Sequence, residues 1–180
     1  MSKTSELIIA GFGGQGILFT GKVLAYGGLM CGKEVSWLPS YGPEMRGGTA
    51  NCHVIISDTP IGAPIITEPN LLIVMNKPSL DKFEDAVVSG GTIIVDSSLI
   101  DRKVKRDDVN VFYIPATQMA LDMDASKMAN MIILGKLIKE TDIMTYDELK
   151  EGLKKCVPPS KAELIDFNLK VIDAGYNYAE

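Results

Sequence analysis

One histidine and three scattered cysteines set the first limits on what this 180-residue chain can do. His53 has no second histidine beside which to hold a metal or relay a proton, so His-based metal chemistry is not expected. Lying in the strand-like run Asn51–Ile56, it reads as structural. Cys31, Cys52 and Cys156 form neither C-x-x-C nor the spaced set that zinc or an iron–sulfur cluster needs. Cys31 and Cys156 fall among apolar helical positions and read as small core residues. G-x-S-x-G and H-E-x-x-H are missing, and Gly16-Ile17 is not followed by the Lys-Ser/Thr of a P-loop. Basic residues are in the minority, 18 against 23 acidic, for a net charge of −5. That balance argues against general binding of nucleic acid or of an anionic membrane. No apolar run approaches the roughly 18 residues of a membrane span. The start, Met1 to Glu6, leaves no room for a signal-peptide core before the first strand, so a cytoplasmic address is expected.

What is present is an ordinary globular composition, 46% hydrophobic and 23% charged, sized for a single domain over 1–180. There is no internal repeat and no low-complexity tract. The chain is organised around Leu7-Ile8-Ile9-Ala10-Gly11-Phe12-Gly13-Gly14-Gln15-Gly16-Ile17-Leu18. A short apolar run turns on glycines and continues with helical spacing, which is the opening strand–turn–helix of a Rossmann-like fold. Gly11, Gly13 and Gly16 fit G-x-G-x-x-G in its proper place. Two readings follow. Such glycines let a phosphate approach the N–H groups and positive dipole end of the helix. They also simply let the helix pack close to the sheet.

The next segments refine the choice. Glu34–Leu38 reads as the second strand, after a Gly32-Lys33 stop. An NAD site needs an acid near that strand's end, and here Trp37, Leu38, Pro39 and Ser40 occupy the place. Ordinary dinucleotide binding is therefore not expected. Ser40–Thr49 is polar and glycine-rich, and its Tyr41, Glu44, Arg46, Gly47 and Gly48 make it richer than a plain linker. Cys52–Ser57 reads as a strand, Asp58-Thr59-Pro60 as a turn, and Ile61–Ile66 as an edge strand or extended segment. Leu71–Met75 is an unbroken apolar run, as in a central parallel strand. A helix is expected from Pro78 or Ser79 through Val88, then a strand over Thr92–Asp96. Asp101–Asp108 reads as a solvated charged segment, and Val111–Ile114 as the last strand. Ser126–Lys139, with Gly135 allowing close approach, Tyr146–Lys155 and Glu163–Tyr176 read as helices. The alternation predicts an α/β fold: an open, mainly parallel sheet with helices on both faces and a C-terminal helical segment.

Polar residues gather at the presumed carboxyl ends of strands: Gly11–Gly16, Ser40–Thr49, Asn76–Ser79, Ser97-Ser98 and Thr117-Gln118. In an open parallel sheet that edge is where ligands or partners bind. No nucleophile with its base, metal cluster or carboxylate pair accompanies them. The pattern is one wall of a site whose chemistry is elsewhere.

These residues also carry a family resemblance. Gly11-Phe12-Gly13-Gly14-Gln15-Gly16 and Pro39–Asn51, followed in order by Met75–Phe83, Asp96–Ile100 and Ile114–Thr117, are similar to the gamma subunit of 2-oxoacid:ferredoxin oxidoreductases. The likeness runs over nearly the whole chain. Its Ser-Tyr-Gly-Pro-Glu-Met-Arg-Gly-Gly loop most resembles the 2-oxoglutarate or branched-chain 2-oxoacid type. The resemblance implies a hetero-oligomer that converts a 2-oxoacid and CoA to acyl-CoA and CO2, passing electrons to ferredoxin. Thiamine diphosphate with Mg, and the [4Fe-4S] clusters, are expected on alpha, beta and delta subunits rather than on this chain. No catalytic residue and no metal site are expected here. Gly11, Gly13, Gly14, Gln15 and Gly16 are candidates to meet a phosphate of CoA. Tyr41, Glu44, Arg46, Gly47 and Gly48 are candidates to face a partner or substrate. The reading that competes with a subunit role is a free-standing nucleotide- or CoA-binding module.

Overall fold

A computed structural model of the chain describes residues 3–40 and 49–179. Strands β1 (Thr4–Phe12), β2 (Glu34–Ser40), β3 (Thr49–Ser57), β4 (Leu71–Val74), β5 (Thr92–Asp96) and β6 (Asn110–Ile114) form one sheet in the order β2-β3-β1-β4-β5-β6. The pairs β1–β4, β4–β5 and β5–β6 are parallel. β3 is antiparallel to both β1 and β2. A parallel return needs a crossover of a dozen or more residues, and only 41–48 separate β2 from β3.

The sheet order differs from the one expected of a dinucleotide-binding fold. β2 is not the neighbour of β1, as in a dinucleotide fold; β3 lies between them. The residues beside the end of β1 are Thr49, Ala50 and Asn51, paired with Phe12, Gly11 and Ala10. The question of a ribose acid therefore belongs to the start of β3 rather than to Trp37–Ser40.

The two-residue period of the strands sends alternate apolar side chains to opposite faces. Leu7, Ile9, Ile73 and Ile94 join one core with helices α1 (Ile17–Met30), α3 (Ala116–Asp122), α4 (Ala129–Glu140), α5 (Tyr146–Cys156) and α6 (Glu163–Tyr176). Ile8, Ala10, Leu72, Val74, Ile93 and Val95 join a second core covered by α2 (Lys77–Phe83) and by loops. Both faces are covered, but five of the six described helices lie on the first. At Gly135 an added Cβ would run into the backbone carbonyl of Ile172, so α4 and α6 cross in close contact there.

Several expectations need correction. α3 (Ala116–Asp122) opens the C-terminal helical segment ahead of the helix read from Ser126. The helix expected through Val88 stops at Phe83 and tightens into a 3-10 turn over Glu84–Ala86. It starts earlier too, capped by Asn76, whose Oδ1 accepts the Ser79 N–H at 2.8 Å. Of the two alternatives for Ile61–Ile66 the edge strand is not formed: Gly62 and Pro64 interrupt it, and Ile66 gives its N–H to His53 Nδ1 at 2.9 Å. Cys31 and Cys156 sit at helix ends and are only half-buried; Cys52 is the buried cysteine.

The Asp101–Asp108 run is not freely solvated. Arg102 makes two-pronged contacts of 2.6 and 3.1 Å with Glu84, which is only 2% exposed, and a third with Asp81 at 2.9 Å. Arg106 donates to the carbonyls of Glu84, Asp85 and Val87, closing the end of the 3-10 turn. Charge alternation reads as surface in a sequence, whereas here two guanidinium forks hold the segment on the sheet's second face.

Candidate functional site

β1 runs out at Phe12, and the chain reverses through 13–16 into α1. Gly14 has φ 90° and Gly16 φ 75°, left-handed values that side chains rarely take, so the turn requires glycine at both places. Gln15 closes it from inside. Its Oε1 accepts the Phe12 N–H at 2.5 Å and its Nε2 donates to the Met75 carbonyl at 3.1 Å, tying the ends of β1 and β4. That side chain therefore has a part in the fold, using one N–H and one lone pair of its amide. Gly11 sits beneath it; a Cβ there would stand 2.6 Å from Gln15 Oε1 and 2.8 Å from Ile17 Cδ1.

Gly16 is held from the far side of the sequence. Asn130 of α4, 5% exposed, donates from Nδ2 to the Gly16 carbonyl at 3.3 Å and to Thr20 Oγ1 at 3.1 Å. Thr20 Oγ1 in turn donates to the same Gly16 carbonyl at 3.1 Å. Asn130 was missed from sequence. Its signal was an amide in the first turn of an apolar helical run, which ordinarily means solvent exposure.

The N-terminus of α1 carries no side-chain cap and no acid in its first turn. Its N–H groups are thus not answered by a carboxylate, which is the arrangement that suits an anion. A cleft of about 260 Å³ opens beside it, lined by Phe12, Gly13, Gly14, Gly16, Ile17, Leu18, Phe19 and Ala50. No lysine or arginine lines it among the described residues, and its walls are largely apolar. The site therefore offers dipole and N–H groups to a charged group, and Phe12, Leu18 and Phe19 to an apolar one.

The other polar clusters do stand at the carboxyl edge of the sheet, but much of their chemistry is internal. Asp96, fully buried at the end of β5, accepts the Thr117 hydroxyl at 2.6 Å and the Ser98 N–H at 3.1 Å. Ser98 Oγ accepts the Gln118 N–H at 3.1 Å. These groups anchor the start of α3; among the described residues Gly13–Gly16 remains open at this edge, and Asn76 Nδ2 and Ser79 Oγ are buried there without a hydrogen-bond partner. Tyr41, Glu44, Arg46, Gly47 and Gly48 lie outside the described residues. Their flanks do not: Ser40 pairs with Asn51 and Phe12 with Thr49, so the stretch is rooted at the same edge as the glycine turn.

No group of three or more His, Cys, Asp or Glu among the described residues is arranged to hold a metal. The three cysteines lie on different elements, Cys52 in β3 and the others at the ends of α1 and α5. Burial pushes the Cys52 thiol up to about 12, so it is a protonated core group with its Sγ against the Ile17 carbonyl. The donor set does not fit an iron–sulfur cluster. No described helix is long and apolar enough to cross a membrane.

A family model for pyruvate ferredoxin/flavodoxin oxidoreductase matches residues 6–178. Ketoisovalerate oxidoreductase subunit VorA of Methanothermobacter thermautotrophicus is 38% identical over 173 residues, 95% of this chain and 35% of its own length. The chain thus spans about a third of that relative. The 2-oxoglutarate synthase subunit KorC of Methanocaldococcus jannaschii is 34% identical over 178 residues, 97% of this chain and 94% of that one. Among solved structures, the gamma subunit of a keto/oxoacid ferredoxin oxidoreductase from Geobacter sulfurreducens superposes with a TM-score of 0.80 at 25% identity, covering 96% of each chain. A 2-oxoglutarate:ferredoxin oxidoreductase from Magnetococcus marinus, solved with 2-oxoglutarate, coenzyme A and succinyl-CoA, gives 0.85 at 26% identity, covering 96% of this chain and 30% of that one. A strand, a glycine turn and an uncapped helix at the open edge of a mostly parallel sheet, together with a match over nearly every residue, show that the chain belongs to the pyruvate ferredoxin/flavodoxin oxidoreductase family, as a gamma-type domain.

Proposed function

We propose that this chain is the gamma-type subunit of a 2-oxoacid:ferredoxin oxidoreductase. The whole complex turns a 2-oxoacid and CoA into acyl-CoA and CO2, and ferredoxin takes up the electrons. The observation that carries the reading is the family match across 6–178, whose glycine turn stands open at the carboxyl edge of the sheet. Thiamine diphosphate, Mg and the [4Fe-4S] clusters belong to alpha, beta and delta subunits in this reading, and this chain lines the site entrance. The substrate is 2-oxoglutarate, as for the KorC relative. The second reading is ketoisovalerate, favoured by the 38% identity to VorA.

Two parts of the chain are assigned to the entrance. The Gly11–Gly16 turn receives a phosphate of CoA at the first N–H groups of α1, with the Phe12–Phe19 cleft beside it for an apolar part of the same ligand. Gly11 and Gly16 also have packing duties, so the ligand role falls on the backbone of Gly13 and Gly14. Tyr41, Glu44, Arg46, Gly47 and Gly48, rooted at the same edge, face a partner or the substrate. The test is the purified complex assayed with 2-oxoglutarate, ketoisovalerate and pyruvate. CoA- and ferredoxin-dependent turnover fastest on 2-oxoglutarate is the expected result. Preference for ketoisovalerate selects the second reading, and turnover of none of the three overturns both.

A further inference from the structure

Helix α1 is apolar on every side, and one of those sides faces solvent. On the sheet side, a Cβ at Gly28 would stand 2.9 Å from Val35 and 3.2 Å from Ile56. On another side, Gly152 of α5 packs directly on the backbone of Val23 and Gly27. The remaining arc, about 120° wide by helical spacing, carries Leu18, Phe19, Lys22, Tyr26, Leu29 and Met30. Tyr26 is 36%, Leu29 54% and Met30 48% exposed, and Phe12, 39% exposed, extends the stripe past the N-terminus into the cleft. Lys22 is its one charge, and its ammonium lies 5.9 Å from the Tyr26 ring centre. α5 is different: its outward positions Asp147, Glu151, Lys154 and Lys155 are those of a solvated helix. A helix hydrophobic all round is one that ends up buried.

We infer that the outer face of α1 is the surface on which another subunit of the oxidoreductase docks, with an apolar patch against Tyr26, Leu29 and Met30 and an acidic group for Lys22. The inference rests on the reading of this chain as one subunit of such a complex. Two observations choose this occupant. In VorA and in the Magnetococcus enzyme the matching domain is 35% and 30% of a longer chain. The remainder there is covalently joined to this domain, which holds it at high effective concentration. A second copy fits less well: across a two-fold axis Lys22, near the middle of the stripe, would meet Lys22 and bury like charges. At 14 residues, α1 is about 21 Å long, so the stripe with its cleft supplies part of the roughly 800 Å² per partner of a standard interface.

The experiment is co-purification of the full chain with its co-expressed, tagged oxidoreductase subunits, for wild type, Leu29→Glu/Met30→Glu and Lys22→Glu. The double variant is expected to lower recovery in the complex at least tenfold. Lys22→Glu should weaken it less, and mainly at low salt. The melting temperature of each free variant should stay within about 2 °C of wild type, as for surface substitutions. Full recovery of the double variant overturns the inference. So does a wild-type dimer that the double variant makes monomeric while the complex is intact, because the face then belongs to a second copy. Failure of the wild type itself to recover any such subunit overturns the reading beneath, and the inference with it.

Discussion

Asn130 and Gly16, 114 residues apart in sequence, share one hydrogen bond and leave no space between them: the Asn130 amide donates to the Gly16 carbonyl, and a Cβ on Gly16 would collide with that amide. The second helix-face residue of α4 thus sets where α1 begins, and with it where the open N–H groups point.

Gly16→Ala should destabilise the chain by about 2 kcal/mol, from a left-handed backbone forced on alanine and from the collision with Asn130. Asn130→Ala should cost about 1 kcal/mol through its lost hydrogen bonds. The double variant should be more stable than the sum by roughly 0.5–1 kcal/mol, because the collision is gone. Urea unfolding of the four proteins measures this; strict additivity would mean that the two residues do not constrain one another.

Gly14 separates ligand binding from packing only if the substitution respects the backbone. A Cβ there meets nothing within 4 Å, but φ is 90°, so alanine would strain the turn. Asparagine tolerates left-handed values better. Gly14→Asn is expected to leave assembly intact and to raise the KM for CoA several-fold, with little change in the KM for the 2-oxoacid. Unchanged KM values for both would remove the turn from CoA binding.

Arg102→Ala leaves the Glu84 carboxylate, 2% exposed, without its fork, and should cost about 3 kcal/mol. Lys154→Ala removes an exposed pair with Glu151 and should cost under about 0.5 kcal/mol. Equal losses in denaturant titrations would show that the 101–108 segment is no more than surface.

Burial, with a smaller push from Lys82, holds the His53 imidazole below its ordinary range. The neutral ring accepts the Ile66 N–H at Nδ1, and protonation would place a hydrogen there. The unfolded chain then binds the proton more readily than the folded one, so stability rises with pH through this window. The contribution is complete above the unfolded value of about 6.5 and falls as pH drops from there toward the lower folded value. His53→Asn should flatten the slope of stability against pH between about 7 and 5.5 relative to wild type. Parallel slopes would mean that His53 does not report on folding.

Local patterns in the chain were enough for what depends on near neighbours. The apolar runs of β1, β4 and β5 read as buried strands, and the glycine spacing after Ala10 as a tight turn into a helix, and both were found. The periodicity of α5 and α6 placed both correctly, because an amphipathic face is written in residues three and four apart. The reversal of β3 was not legible: the strands read from sequence, ending at Leu38 and starting at Cys52, leave room for a crossover, and only their extension to Ser40 and Thr49 shortens the gap to 41–48. What required the tertiary structure was every role set by a distant partner. Asn130 becomes the clamp of the glycine turn only when α4 lies against α1, and Arg102 becomes a lock only when its loop reaches Glu84. Gln15 joins β1 to β4 only in the folded chain, because the carbonyl it meets is 60 residues away. The apolar outer face of α1 shows the same division. Its residues are plain in the sequence, but only the packing of sheet and α5 against its other sides reveals which of them are left uncovered.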